Sequence, residues 1–150
     1  MRAVIQRVKN ASVSVDQKSV SSIGRGLLVL LGVEPADGQE DIEWLAGKIS
    51  RLRIFADEEG AMNCSIQDIE GEFLVVSQFT LFANTRKGNR PSFLEAAPPK
   101  LAEKRYEEFC YRLEKESERN VRRGVFGAHM EVSLINDGPV TIWIDTKKRA

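Results

Sequence analysis

The chain has 150 residues, 42% hydrophobic and 29% charged, with 22 Lys and Arg against 22 Asp and Glu. That length and balance suit one domain spanning 1–150 with a single core and exclude a disordered chain. Zero net charge argues against a protein that coats long nucleic-acid duplexes, but not against one that grips a short end.

The opening RAVIQRVKNASVSVD is rich in strand formers. Val4, Ile5 and Val8 suggest one strand, and Val13 and Val15 alternating with serines suggest another. GLLVLLGV, Gly26 to Val33, is an apolar run between glycines and predicts a buried strand. After a loop at Pro35–Gln39, Asp37 or Asp41 is placed to cap a helix whose apolar face is Ile42, Leu45, Ile49 and Leu52. Arg53-Ile54-Phe55 reads as the start of a short strand and DEEG as a turn. EFLVVSQFTL, Glu72 to Leu81, predicts a second apolar strand, followed by the basic loop NTRKGNRP. Pro98 and Pro99 open a second helix, since proline suits a first turn. Its apolar stripe runs through Tyr106, Phe109, Cys110 and Leu113, and it is expected to stop at Gly124. Met130–Ile135 and Val140–Asp145 read as two antiparallel strands joined by a turn at NDGPVT. About six strands and two long helices, without regular alternation, make an α+β fold.

Catalytic equipment is sparse. Cys64 and Cys110 stand in no metal or redox spacing. The one histidine, His129, lies beside a predicted strand, where a structural role is the better expectation than a catalytic one. No serine elbow, phosphate loop or dinucleotide fingerprint occurs, so neither a metal nor a cofactor is expected. No signal-peptide h-region and no apolar run near the ~20 residues needed to span a bilayer is visible. The expected location is the cytoplasm, with no membrane partner.

Two short motifs remain. SQFT, Ser77 to Thr80, ends a strand, and backbone N–H groups there could stabilise an oxyanion. Thr80 could serve as a nucleophile only with a base beside it. In NDGPVT, Gly138 lets backbone approach a ligand and Pro139 removes a donor and fixes φ. The pair can therefore present a rigid wall free of side chains.

With MRAVIQRV, GLLVLLGV, EFLVVSQFTL, NRPSF and NDGPVT in this order, the chain resembles the D-aminoacyl-tRNA deacylases, also called D-tyrosyl-tRNA deacylases, over essentially its whole length. The resemblance implies an enzyme that hydrolyses the ester of D-aminoacyl-tRNA and of glycine mischarged onto alanine tRNA, without a cofactor. It implies a homodimer with sites at the interface, in which a cis Gly138-Pro139 bond reaches into the partner's site and rejects L side chains. Ser77, Gln78, Phe79 and Thr80 would form the opposite wall, with Gln78, Phe79 and Thr80 nearest the chemistry. Arg7 would hold the Gly-Pro turn, Met130 would line the terminal adenosine pocket, and the tRNA 2′-hydroxyl would assist. The expected sheet is mixed, largely antiparallel and curled towards a barrel, packed by two long helices. Of three basic clusters, Arg86, Lys87 and Arg90 are the favoured tRNA contacts, ahead of Arg119, Arg122 and Arg123 and of Lys147, Lys148 and Arg149. Two other readings stay open: a general small-ester hydrolase using Thr80, and a dimeric nucleic-acid-binding module.

Overall fold

The structure is a computed structural model that describes residues 1–149. It contains strands β1 (Arg2–Val15), β2 (Lys18–Ile23) and β3 (Gly26–Gly32), then helix α1 (Gln39–Arg51). The short strands β4 (Phe55–Ala56) and β5 (Met62–Cys64) precede β6 (Glu72–Ser77) and one 3-10 turn, Phe79–Phe82. Helix α2 (Pro99–Ser117), β7 (Val121–Arg123) and β8 (Glu131–Asp145) complete the chain. The architecture is α+β: a mixed sheet nearly closed into a barrel, with two helices packed on it.

β1 organises the sheet. Its first half pairs antiparallel with β3, its second half with β2, and its other edge with β8 from Arg2 to Ser14. Burial explains this division. Ala3 and Ile5 face the cluster built with the helices, whereas Val8, Ala11 and Val13 face a second cluster with Leu28, Leu74 and Val76. β3, β6 and β7 run parallel, and β3 and β6 are buried on both faces, as strands inside a covered parallel sheet are. Ser21 Oγ donates to the Arg123 carbonyl at 2.6 Å, which brings β2 up to β7 across the gap in the barrel.

α1 begins at Gly38, whose N–H donates to the Asp41 side chain at 3.0 Å. Asp37 does not cap the helix; it accepts from the Glu34 N–H and from the Met1 amino group. Thr146 accepts from the same amino group and donates to Asp41, and Lys147 Nζ donates to Asp41 at 2.8 Å. Burial alone would raise the Asp41 carboxyl, but bonds from Lys147, Thr146 and the Gly38 N–H more than offset it and bring it down to about 2. α2 opens at Pro98 and Pro99 and buries Tyr106, Phe109, Cys110 and Leu113 against α1 and the sheet.

Several boundaries differ from expectation. The two strands expected around Val4–Val8 and Val13–Val15 are one, because β1 runs unbroken from Arg2 to Val15 between β8 and its partners β3 and β2, and the described residues form eight strands rather than about six. α2 ends at Ser117 rather than Gly124: Glu118 turns left-handed at φ 56°, and Val121–Arg123 leaves to pair with β6. The strand expected to run through Leu81 stops at Ser77, where Gln78 breaks it and the 3-10 turn follows. The two C-terminal strands are one. β8 runs unbroken from Glu131 to Asp145, so NDGPVT makes no hairpin. Gln6 faces Thr141 and Val8 faces Asn136, which leaves Asp137 to Val140 bulging out opposite Arg7. A long partner strand on one side is what converts a turn sequence into a bulge. Among the described residues no helix is long and apolar enough to cross a membrane.

Candidate functional site

A cavity of about 590 Å³ opens where β6 ends. It is lined by Ser77, Gln78 and Phe79, by the Phe126–Met130 segment after β7, and by most of the segment from Phe93 to Pro99. The strand stops here for a local reason: the Gln78 N–H donates to the Leu31 carbonyl at 2.7 Å, the last link to β3, and Leu81 N–H then folds back to the Gln78 carbonyl at 3.2 Å. The first N–H groups of such a turn have no acceptor within it, so Phe79, on the cavity wall, and Thr80, next to it in the chain, each carry an N–H with no acceptor inside the turn. Arg2 pins the far end of the turn. It donates to the Leu81 carbonyl at 2.8 Å, lies 4.4 Å over the Phe82 ring and pairs with Asp145 at 3.2 Å.

The side chains at the site offer little acid–base chemistry. The Thr80 hydroxyl accepts from the Gln78 amide, its one hydrogen-bond partner among the described residues, and it does not line the cavity. Phe79 is 55% exposed and meets Phe93 edge to face at 5.2 Å; Leu94 beside them is 93% exposed. His129 does line the cavity. A lone histidine near a strand carries no signal of such a place in the sequence, and Phe126 lacks a pattern for the same reason, whereas Phe93 closes the NRPSF motif but has no site role assigned to it.

Behind β6, Tyr106 donates its hydroxyl to the Val75 carbonyl at 2.6 Å and its ring lies 6.0 Å from Phe126. Burial raises the Tyr106 hydroxyl and pushes the Cys110 thiol up to about 12, although Arg123 beside them pulls the other way. Arg123 also pairs with Glu107 at 3.4 Å.

The remaining predicted residues form a second group on the β1–β8 ribbon. The Gly138-Pro139 bond is cis, and both residues are exposed. Arg7, 14% exposed, donates from Nε to the Asp137 carbonyl at 2.8 Å and from its guanidinium to the Ile54 carbonyl at 2.7 Å. Asn136 spans the base of the bulge: its amide donates to Thr141 Oγ1 at 3.0 Å and its oxygen accepts from Val140 N–H at 2.8 Å. Gly138 has φ +151°, and a Cβ there would stand 2.7 Å from Val140 Cγ2. Neither Gly138, Pro139 nor Arg7 lines the cavity of its own chain.

The basic clusters separate in kind. Arg119 donates to the Gly71 and Glu70 carbonyls, Arg123 pairs with Glu107, and Lys147 and Arg149 pair with Asp41 and Glu40. Arg86, Lys87 and Arg90 are exposed on a loop closed at its base by two Asn84–Ser92 backbone bonds of 2.8 and 2.9 Å. Among the described residues their side chains make no ion pair.

Comparison with known proteins places the whole chain in one family. Residues 4–145 match the model of the family described as D-Tyr-tRNA(Tyr) deacylase. A D-aminoacyl-tRNA deacylase of Thermosipho africanus is 60% identical over 148 residues, and one of Flavobacterium johnsoniae is 56% identical over 149, each covering 99% of both chains. A solved structure described as c-Myc DNA Unwinding Element Binding Protein is 45% identical, covers 97% of this chain and 98% of its own, and superposes with a TM-score of 0.90.

Proposed function

Because the chain belongs to the D-Tyr-tRNA(Tyr) deacylase family, hydrolases that cut the ester of aminoacyl-tRNA, we propose how it does so and which substrates it takes. Its substrates are D-aminoacyl-tRNAs, and glycine mischarged onto alanine tRNA follows them because glycine has no side chain to exclude. The cavity beyond β6 receives the terminal adenosine against Met130, and the ester lies along Ser77, Gln78 and Phe79. The N–H groups of Phe79 and Thr80 stabilise the developing oxyanion. The ribose 2′-hydroxyl next to the ester assists the attack, and such proximity can contribute ~7–11 kcal/mol.

Gly138 and Pro139 stand apart from their own cavity, so they serve a second copy of the chain. The bulge enters the partner's site as a side-chain-free wall, with Arg7 and Asn136 fixing it, and collides with an L side chain. The loop with Arg86, Lys87 and Arg90 follows the 3-10 turn directly and takes the phosphates of the tRNA end. The observation that carries this reading is the Thr80 hydroxyl, bonded among the described residues only to the Gln78 amide, on a residue that does not line the cavity. A threonine nucleophile needs a base at hydrogen-bond distance.

Matched D- and L-aminoacyl-tRNAs, each also made with a terminal 2′-deoxyadenosine, test the reading. Hydrolysis of the D ester, sparing of the L ester and a large loss with the deoxy terminus are expected. Equal cleavage of both hands would refute the chiral wall, and undiminished cleavage of the deoxy ester would refute assistance by the RNA. A second reading, binding of duplex DNA, is favoured by the description of the 45% identical relative as a DNA-binding protein. Tight duplex binding by a protein that leaves every aminoacyl-tRNA intact would support it.

A further inference from the structure

Gly124 follows β7 at the point where β6 and β7 part. Its N–H makes a long last link, 3.3 Å, to the same Val75 carbonyl that Tyr106 holds. Beyond it the chain turns outward to become the cavity wall that carries Phe126 and Met130. Backbone conformation does not call for glycine here, because Gly124 is not among the residues with positive φ. Space does. A Cβ on Gly124 would stand 2.6 Å from Met130 Sδ, 3.7 Å from its Cε and 3.8 Å from Val76 Cγ2. The thioether of Met130 occupies the volume that any side chain at 124 would need.

Met130 and Val76 both line the cavity, and both also pack into the cluster of Val8, Ala11, Val13 and Leu74. That cluster is close-packed and yields little. The direction left open to a displaced Met130 is the cavity. Methionine is unbranched and adapts by rotation, so the displacement moves a side chain and leaves the fold intact.

We infer that Gly124 is a specificity-determining residue, whose missing side chain lets Met130 lie back and so sets the depth of the cavity. The inference rests on the proposed function in one respect: the group admitted to that depth is the terminal adenosine of the tRNA. Gly124 touches no substrate and acts through Met130.

Four proteins test it: the wild type, Gly124→Ala, Met130→Ala and the double variant, each assayed on a D-aminoacyl-tRNA with kcat and KM separated. Gly124→Ala is expected to raise KM by about 10-fold or more, the scale of one methylene's worth of room in a pocket, with kcat within about twofold. In the Met130→Ala background the same change should move KM by less than about twofold, since the two sites are coupled through the side chain removed. A wild-type KM in Gly124→Ala, or a rise of the same size in both backgrounds, would overturn the inference. A crystal structure of Gly124→Ala gives a readout independent of substrate. Met130 Sδ displaced into the cavity is expected, and Met130 in its present place would overturn the inference whatever the kinetics. A wild type inactive on D-aminoacyl-tRNA would refute the proposed function, and that crystal structure would then decide Gly124 by itself.

Discussion

At the scale of single residues, the structure separates groups that touch the cavity from groups that shape it. Ser77, Gln78, Phe79 and Met130, all singled out in the sequence, come together around one cavity. Ser77, Gln78 and Phe79 were legible because SQFT occurs together with GPVT, whereas Met130 came only with the family resemblance. His129 and Phe126 were not legible, because nothing about a lone histidine or a loop phenylalanine announces a wall. Thr80→Ala is expected to keep deacylation within about 10-fold of wild type, whereas loss of a true nucleophile costs on the order of 10⁴ or more in kcat; single-turnover rates on D-aminoacyl-tRNA decide. Arg7 is a different case. Its two bonds reach carbonyls at 2.8 and 2.7 Å, one on the bulge and one on the segment before β4. Arg7→Ala should lower stability by about 1.5–3 kcal/mol, the value of hydrogen bonds from a charged donor, read from the urea midpoint. It should also raise hydrolysis of L-aminoacyl-tRNA relative to D.

At the scale of elements, the sequence was most readable where periodicity is strong. The α1 face of Ile42, Leu45 and Ile49 and the apolar runs of β3 and β6 were all visible. What escaped was decided by partners rather than by composition. β2, KSVSSI, looks like a polar loop until β1 lies beside it, and β7, VRR, looks like a helix tail until Phe73 pairs with Val121. Asn, Asp, Gly and Pro in succession signal a turn, yet β1 runs past both ends of the segment and holds β8 as one strand. The N-terminus of α1 supplies a pH test. Asp41 is held at about 2 against an ordinary value of 3.8, so its contribution is complete above about pH 4 and is lost as pH falls towards 2. Asp41→Asn should therefore lower stability at pH 7 by on the order of 1 kcal/mol after solvent screening. Melting curves of the two proteins should converge between pH 4 and pH 2, and a gap that stays constant over that range would contradict the assignment.

At the scale of the whole molecule, the cavity and the Gly138-Pro139 bulge occupy separate places on one chain. If each site draws its cavity from one copy and its bulge from the other, two damaged chains can repair each other. Mixing Gly138→Ala with Phe79→Ala chains through a cycle of dissociation should restore about a quarter of wild-type activity, the share of sites left intact in a two-fold assembly. No recovery on mixing would mean that each chain works alone. Net charge of zero places the burden of RNA binding on local clusters, and the cluster of Arg86, Lys87 and Arg90 is the one of the three in which no member makes an ion pair among the described residues. Reversing all three should reduce the salt dependence of tRNA binding by about 3 in log–log slope, roughly one for each phosphate no longer neutralised. An unchanged slope would move the tRNA track elsewhere. The two free cysteines differ in the same spatial way: Cys110 is fully buried with its thiol pushed up to about 12, and Cys64 is partly open on β5. A maleimide dye at neutral pH should therefore attach at position 64 alone while the protein stays native. Delayed labelling of position 110 then becomes a clock for global opening, built into the chain without any engineered change.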